Sequence, residues 1–327
     1  MAKTLHIHIG HYKTGTTALQ AFFAQNRERL LEAGLDYASL GLILDKHNAF
    51  AAPLLQGSFR HNAVLDHDNV AKPREFWEKL YAYVHASPAE DVLISSEEFI
   101  RIGDEPRRIE DLDRVAHRAE GIEFRIICYL RPPGAHLESW YNQLVKLNRP
   151  IGHRARSIAL EFDRVNVDYR MALQPWADIF GKENVVVRGY RSDWRGTHGL
   201  YWDFLGLFDR IEPPEDLHFP GEDPNPRIDD RTTELVRTLN RIGASEAQIE
   251  AELARFGQYL ADHELDEALP EGRFTEVHRG AVAGLDWVSA LPHCNIDHRY
   301  YRTDPPRLRP EWEDYSAAAL EYALRRL

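Results

Sequence analysis

The sequence predicts an α/β fold with a central parallel sheet and helices on both faces. The first two-thirds of the 327-residue chain alternate short apolar runs with longer helical patterns, which is typical of β-α-β crossover units. This length suits one large domain, or one domain with an appendage. Proline and aspartate become frequent after about residue 209, so we expect an α/β core at residues 1–208. Residues 209–327 should form a mainly helical extension packed on the same domain.

The predicted strands are short apolar runs, and the predicted helices follow them in alternation. The strands are Leu5–Gly10, Asp91–Ser95, Phe124–Leu130 and Asn184–Tyr190. The core helices are Thr16–Ala33, Pro73–Ala86, Pro106–Glu120, Pro133–Asn148, Asp168–Phe180 and Gly199–Leu207. The extension should contribute Thr232–Ile242, Ser245–His263 and Trp312–Arg325. Residues 40–72 and 293–310 are expected to be irregular.

Composition and charge narrow the classes of function. The chain is 43% hydrophobic and 28% charged, as in ordinary globular proteins, and no apolar run is long enough to cross a bilayer. Its net charge of −12 disfavours broad binding to nucleic acid or to anionic membranes. The N-terminus lacks a secretory pattern, and Cys128 and Cys294 form no disulfide framework, so we expect a cytoplasmic protein.

The stretch HIHIGHYKTGTTALQAFF, which begins at residue 6, predicts an anion-binding loop. A strand leads into a turn rich in glycine and threonine, and an apolar helix follows. This geometry directs backbone N–H groups and the positive end of a helix dipole at an anion. The hydroxyl groups of Thr16 and Thr17 would add donors at the start of the helix.

The lysine of this loop is displaced from its place in nucleoside-triphosphate loops. Gly10 and Gly15 have the spacing of G-x-x-x-x-G-K-[ST], but Thr16 occupies the lysine position and the lysine is Lys13. The later strand end VLISSEEF carries serines where a magnesium-binding aspartate is usual. The loop therefore favours an anion other than the Mg²⁺ complex of a triphosphate, and no metal is expected.

A second motif, IICYLRPPGAHLESWYNQLVK, spans residues 126–146. It places Arg131 at the carboxyl end of a buried strand, the edge at which open α/β sheets bind ligands. Ser139 follows about two helical turns later. An arginine can contact a phosphate through two hydrogen bonds, and a serine hydroxyl adds one more.

The two motifs together resemble those of sulfotransferases that use 3′-phosphoadenosine 5′-phosphosulfate (PAPS), in the bacterial and carbohydrate-sulfotransferase-like branch of that family. The phosphosulfate loop of that family, K-[ST]-G-T-T, matches Lys13, Thr14, Gly15, Thr16 and Thr17. The second motif resembles the 3′-phosphate motif of the family, which would assign that role to Arg131 and Ser139. The resemblance implies a P-loop-type fold, PAPS as cosubstrate and a hydroxyl or amine acceptor such as a carbohydrate, lipid or small metabolite. Lys13 would then contact the bridging oxygen of the phosphosulfate.

Transfer to a hydroxyl needs a base near Lys13, and the sequence offers three candidates. Glu97 is the first carboxylate after the strand at residues 91–95, and it resembles the glutamate base of carbohydrate sulfotransferases. The next residue, Glu98, would point to the opposite side of the chain from Glu97 if the chain stays extended. His11 lies inside the loop, and His47 lies in the irregular region where an acceptor could bind. We expect Glu97 to be the base and keep both histidines as alternatives.

Two other functions fit the same pattern. One is a P-loop phosphotransferase that uses ATP and Mg²⁺, against which the position of Lys13 argues. The other is a catalytically inactive protein that binds a nucleotide or a partner. The C-terminal sequence ALEYALRRL predicts an amphipathic helix that could pack on its own core or, in a homodimer, against a second copy of the chain.

Overall fold

A six-stranded sheet in which every described pair of strands is parallel organises the chain. The structure is a computed structural model that describes residues 3–55, 73–149, 151–158, 162–194, 196–221, 230–241, 243–261, 275–303 and 319. The strand order is β2-β3-β1-β4-β5-β6, which places β1 in the interior of the sheet. The α/β class and the parallel sheet predicted from the sequence are confirmed. The strands are β1 (Lys3–His8), β2 (Leu35–Tyr37), β3 (Asp91–Ser95), β4 (Ile122–Leu130), β5 (Val185–Gly189) and β6 (His293–Asn295).

Helices connect the strands and make up most of the remaining described chain. No helix among the described residues is both long and apolar enough to cross a membrane. The α-helices are α1 (Thr16–Gln25), α2 (Arg27–Glu32), α3 (Asn48–Ala51), α4 (Pro73–Ala86), α5 (Pro106–Ala116), α6 (Pro133–Lys146), α7 (Arg154–Arg156), α8 (Tyr169–Phe180), α9 (Gly199–Leu205), α10 (Asp230–Arg241), α11 (Glu246–Ala261), α12 (Thr275–Ser289) and α13 (His298–Thr303).

The chain divides into two compact units, and neither is continuous in sequence. The first comprises Met1–Arg131, Asp168–Pro224 and Gly284–His298. The second comprises Pro132–Val167, Asn225–Ala283 and Arg299–Leu327. From the sequence we expected a core that ends at residue 208 and an extension that follows it. That boundary stays a prediction.

The register of the central strands brings three chain segments to one edge of the sheet in the first unit. His8, near the end of β1, lies opposite Ser95 of β3 on one side and Ile127 of β4 on the other. Because all three strands run in the same direction, the segments that follow them leave from the same edge. The predicted loop and the residues after β3 and β4 are therefore neighbours.

Apolar side chains cover both faces of this sheet. On one face, Phe22 and Phe23 of α1 pack with Phe204 of α9 against Tyr129 of β4. On the other face, a chain of aromatic ring contacts joins the helices to β4. Its members are Trp77, Tyr81, Phe99, Phe124, Trp176 and Phe180. Burying each such side chain contributes about 1.5–3 kcal/mol, which holds the sheet between its two layers of helices.

Helices α6 and α10 of the second unit are joined by buried hydrogen bonds. Tyr141 on α6 donates to Glu234 on α10 at 2.8 Å, and the Asn142 amide donates to the Thr233 hydroxyl at 2.8 Å. The Arg154 guanidinium lies 5.0 Å from the centre of the Tyr141 ring. Polar pairs of this kind fix the register of the two helices, because an unpaired partner would be buried without compensation.

Two strands were not predicted from the sequence, and one predicted helix is two helices in the structure. Strands β2 and β6 have three residues each, too short to show an alternating pattern. The helix predicted at residues 16–33 is interrupted at Asn26, which leaves the helical conformation and donates to the Phe22 carbonyl oxygen at 2.8 Å. Asparagine competes for backbone hydrogen bonds in this way, and α2 starts directly after it.

The last third of the chain also differs from the prediction. Residues 293–310 were expected to be irregular, but they begin with β6 and α13, and helix α12 was not predicted at all. The irregular region at residues 40–72 contains the short helix α3, and residues 56–72 lie outside the described part of the chain. Apart from residue 319, the helix predicted at 312–325 also lies outside the described residues.

Three histidines are buried in or beside the sheet in uncharged form. Burial lowers the pKa of His8 to about 3 and that of His47 to about 4. Burial also lowers the pKa of His6, although its hydrogen bond to Asp91 at 2.8 Å acts in the opposite direction. Because these histidines take up protons more readily in the unfolded chain, stability should rise with pH through this range.

We expect acidification from about pH 7 to about pH 5 to cost about 2 kcal/mol of unfolding free energy for each of His8 and His47. The sign follows from the unfolded pKa of about 6.5, below which only the unfolded chain is protonated. In His8→Asn the unfolding free energy should fall less between the two pH values than in the wild type, by about the contribution of one histidine. Denaturant titrations at both pH values measure the free energy of unfolding of each variant. The exposed His85 is the matched control, and His85→Asn should lose as much as the wild type.

Candidate active site

The loop after β1 turns back on itself through three residues in left-handed backbone conformation. These are Gly10, Lys13 and Gly15, with φ angles of 63°, 65° and 82°. For Lys13 this conformation costs about 1–2 kcal/mol, so the surrounding loop must hold it in place. Helix α1 begins directly afterwards at Thr16. Left-handed residues placed between residues of other conformations gather successive backbone N–H groups into a concave anion site.

Two predicted ligand hydroxyls hold the loop together instead of pointing outwards. Thr14 donates to the His11 carbonyl oxygen at 2.7 Å, and Thr16 donates to the same oxygen at 3.3 Å. Both side chains are buried, whereas Thr17 is exposed. The donors left for an anion are the first-turn N–H groups of α1, which have no partner within the helix. No acidic side chain lies in that first turn to compete for them.

Gly15 allows the loop to pack closely against the rest of the first unit. A Cβ atom at this position would lie 2.5 Å from Leu200 Cδ2 and 3.2 Å from Tyr190 Cε2. The first distance is shorter than any contact between carbon atoms allows. Any larger residue would push the start of α1 away from α9, which begins at Gly199.

Arg131 lies directly after β4 and contacts the loop, as the topology predicted. Its Nη1 donates to the Lys13 carbonyl oxygen at 3.1 Å, and its guanidinium lies 5.5 Å from the centre of the Tyr190 ring. Its own carbonyl oxygen accepts from the Tyr169 hydroxyl at 2.7 Å. The structure therefore brings Arg131 and Lys13 together. Ser139 is buried on α6 in the second unit.

Glu97 is the carboxylate that the structure places beside the loop. A Cβ atom on Gly10 would be 3.1 Å from its Cα atom, so the two segments touch. Its Oε1 forms an ion pair with the Lys46 ammonium, and its Oε2 accepts from the Gln20 amide at 2.9 Å. Burial alone raises the pKa of Glu97, but Lys46 and Gln20 outweigh it and hold this pKa below its ordinary value. Glu97 is thus a charged carboxylate at neutral pH.

The chain does not stay extended after Glu97, so the condition under which Glu98 would point the other way is not met. Residues Glu97–Asp104 form a 3₁₀ helix, capped by the Ser96 hydroxyl, which accepts from the Glu98 N–H at 3.2 Å. Glu98 accepts a hydrogen bond from Tyr12 at 3.2 Å, so it too turns towards the loop. Burial and the adjacent charge of Glu97 raise the pKa of Glu98.

The two alternative bases have mainly structural surroundings. The His11 ring is buried and lies edge-on to Tyr12 and Tyr169, with ring centres 6.3 and 5.5 Å away. His47 uses both ring nitrogens: Nε2 is bonded to the Ala38 carbonyl oxygen at 2.8 Å, and Nδ1 accepts from the Ser95 N–H at 3.1 Å. His47 therefore joins the segment after β2 to the end of β3.

Sequence reasoning missed Lys46 and Gln20, which contact Glu97. Gln20 is four residues after Thr16, and this spacing places both on one face of α1, towards the loop. That spacing was a signal that could have been used. Lys46 lies in a region without periodicity, so no sequence pattern pointed to it.

A separate cavity of about 850 Å³ opens at the opposite edge of the sheet. Its walls include residues from the beginnings of β1, β3 and β4, namely Thr4, Asp91 and Ile122. None of the predicted site residues lines it. The chemistry that the sequence predicts lies at the carboxyl edge, where the loop, Arg131 and Glu97 converge.

Gly15→Ala tests whether close packing shapes the loop. It should destabilise the protein by about 1–2 kcal/mol through its left-handed conformation, and by about 1–3 kcal/mol more through the clash with Leu200. The matched control is Gly196→Ala, since Gly196 has a φ of 70° and nothing within 4 Å of an added Cβ. Denaturant unfolding should show the larger loss in Gly15→Ala, and equal losses would contradict the packing described for Gly15.

Comparison with known proteins gives structural similarity only. No protein-family model and no curated protein matches the sequence. The structure is similar to a sulfotransferase from Alicyclobacillus acidocaldarius, with a TM-score of 0.44, 16% identity, and coverage of 78% of this chain and 97% of that one. It is also similar to the sulfotransferase domain from the curacin biosynthetic pathway, with a TM-score of 0.38, 14% identity, and coverage of 86% and 96%. At these identities the similarity concerns the fold alone and assigns no role to any residue.

Proposed function

We propose that this protein transfers a sulfuryl group from PAPS to a hydroxyl or amine acceptor. The observation that carries the proposal is the left-handed loop at residues 10–15, which presents the start of α1 to an anion with Lys13 inside it. The K-[ST]-G-T-T pattern of this loop resembles that of PAPS-dependent sulfotransferases. A carbohydrate, a lipid or a small metabolite would serve as acceptor.

The residues around the loop suit a phosphosulfate. A sulfuryl group carries less charge than a phosphoryl group, so backbone N–H groups and one lysine can stabilise it without a metal. The first turn of α1 supplies such N–H groups and contains no acidic side chain. Arg131 lies against the Lys13 carbonyl and offers a guanidinium for a phosphate group. We assign the 3′-phosphate to Arg131, and the part of Ser139 in holding it stays a prediction.

In this proposal each residue has a distinct task. PAPS supplies the sulfuryl group, whose bond to the leaving phosphate oxygen breaks as a bond to the acceptor oxygen forms. Lys13 stabilises the negative charge that develops on the departing phosphate. Glu97 accepts the proton of the acceptor hydroxyl, because it is charged at neutral pH and lies against Gly10. It then releases that proton to solvent.

Donor binding is tested by calorimetric titration with 3′-phosphoadenosine 5′-phosphate (PAP) in the absence of metal. We expect binding by the wild type and a loss of about tenfold to a hundredfold in Arg131→Ala, since a charge-assisted pair contributes about 1.5–3 kcal/mol. The matched control is Arg125→Ala, which removes a guanidinium from the first half of the same strand, beside the cavity at the opposite edge of the sheet. It should bind PAP as the wild type does.

Other outcomes would favour other functions. Binding of ATP only with Mg²⁺, and no binding of PAP, would indicate a phosphotransferase. PAP binding without transfer to any of a broad panel of hydroxyl and amine acceptors would indicate a protein that has kept the nucleotide site and lost the chemistry.

Lys13→Met should separate binding from chemistry. Because Lys13 acts on charge that develops during transfer, the variant should keep PAP affinity within a few-fold and lose about 10²–10³-fold in turnover. Slow hydrolysis of PAPS, in which water replaces the acceptor, measures turnover without knowledge of the acceptor. Turnover equal to the wild type would exclude this role for Lys13.

A further inference from the structure

A strained turn presents Lys46 to the candidate site. The Ile43 N–H donates to the Lys46 carbonyl oxygen at 2.8 Å, and the Lys46 N–H donates to the Ile43 carbonyl oxygen at 3.0 Å. The two residues between them, Leu44 and Asp45, both have positive φ angles of 48° and 64°. Such turns favour glycine, asparagine or aspartate, so Asp45 suits its position, whereas a leucine there costs about 1–2 kcal/mol. Strain of this kind persists only where neighbouring contacts impose it, and it concentrates at functional sites.

Contacts on both sides of Lys46 impose the turn. Before it, the Tyr37 hydroxyl of β2 donates to the Asp45 carbonyl oxygen at 2.7 Å. After it, the His47 N–H donates to the Ser95 carbonyl oxygen at 2.8 Å, and the His47 ring is bonded to the Ala38 carbonyl oxygen and the Ser95 N–H. The backbone of Lys46 is therefore fixed to two adjacent strands of the sheet.

The side chain of Lys46 ends on Glu97 in a poorly solvated position. Only 25% of the Lys46 side chain and 14% of the Glu97 side chain are exposed. Lys46 contacts Oε1, and Gln20, from the first helix after the loop, contacts Oε2 at 2.9 Å. Each carboxylate oxygen can accept two hydrogen bonds. Lys46, Gln20 and the backbone N–H of Glu97 itself occupy three of these four positions, and the fourth can accept from an acceptor hydroxyl while the carboxylate is held in place.

We propose that Lys46 is a positioning residue for sulfuryl transfer: the turn at residues 43–46 holds its ammonium on one oxygen of Glu97 and so fixes the charged carboxylate beside the loop. This inference rests on the proposed function, since it assigns Glu97 the role of base. Lys46 itself touches neither donor nor acceptor in this scheme. It acts through the orientation and the charge state of Glu97.

Several other groups act electrostatically on Glu97, and the test must hold them constant. Lys46 is the cation in direct contact with it, and Gln20 and Ser95 are neutral neighbours joined by a hydrogen bond of 3.2 Å. The titratable groups that interact with the charge of Glu97 are His8, Tyr12, Tyr37 and Glu98. Replacing Lys46 leaves all of these residues in place, but it also removes a cation that lowers the pKa of Glu98, so the Glu98 signal is followed beside that of Glu97.

The test compares Lys46→Met and Lys46→Arg with the wild type. An adjacent cation lowers the pKa of a carboxyl by about 1–3 units, so Lys46→Met should move the titration of Glu97 upwards by about one unit or more. Carboxyl NMR of ¹³C-labelled glutamate follows this titration, with the signal assigned from Glu97→Gln. The acid limb of PAPS hydrolysis should move by the same amount, and PAP affinity should not change. Lys46→Arg should restore both.

The matched control is Lys182→Met, which removes an exposed lysine at the other edge of the sheet and should leave both profiles unchanged. If Glu97 titrates at the same pH in Lys46→Met and in the wild type, Lys46 is not its positioning residue. If the titration moves but the hydrolysis profile does not, Glu97 is not the base, and that part of the proposed function fails. Thermal unfolding at neutral pH checks that each variant is folded.

Discussion

The parallel pairing of β1 with β3 and β4 is the constraint on which the candidate site depends. It sends the loop after β1, the 3₁₀ helix after β3 and Arg131 after β4 to one edge of the sheet. Residues 86 positions apart in the sequence thereby come into contact, as in the hydrogen bond of 3.2 Å between Tyr12 and Glu98. The apolar layers on both faces hold this register, because a shift of one residue would turn every buried side chain of β1 to the wrong face.

Charge at this edge is arranged in local pairs. The loop gathers backbone N–H groups and two cationic side chains, Lys13 and Arg131, whereas the nearby carboxylate Glu97 already has the cation Lys46. An anion bound at the loop would meet little repulsion from Glu97, because its charge is compensated over a short distance in a poorly solvated place. Glu98 likewise has a cation nearby, since Arg101 Nη1 lies 3.7 Å from its Oε2.

The sequence predicted the parts of the site that have a local pattern. The loop, Arg131 and Glu97 were found because each lies directly after an apolar strand, and strand ends are visible as breaks in hydrophobic periodicity. The orientation of Thr14 and Thr16 was not predictable, since a hydroxyl that closes its own loop and one that faces a ligand look alike in a sequence. Lys46 was missed because its contact depends on a turn that holds Leu44 in a left-handed conformation, which the propensity of leucine does not predict.

The half-buried pair of Lys46 and Glu97 also limits how this chain can change over time. Replacing either residue alone leaves its partner charged in a place with little water, which is far more destabilising than replacing both. Single substitutions at these positions would be lost before a second could follow, except where one step preserves the charge. Descendants of this sequence should therefore keep both residues or replace both, so that substitutions at the two positions occur together.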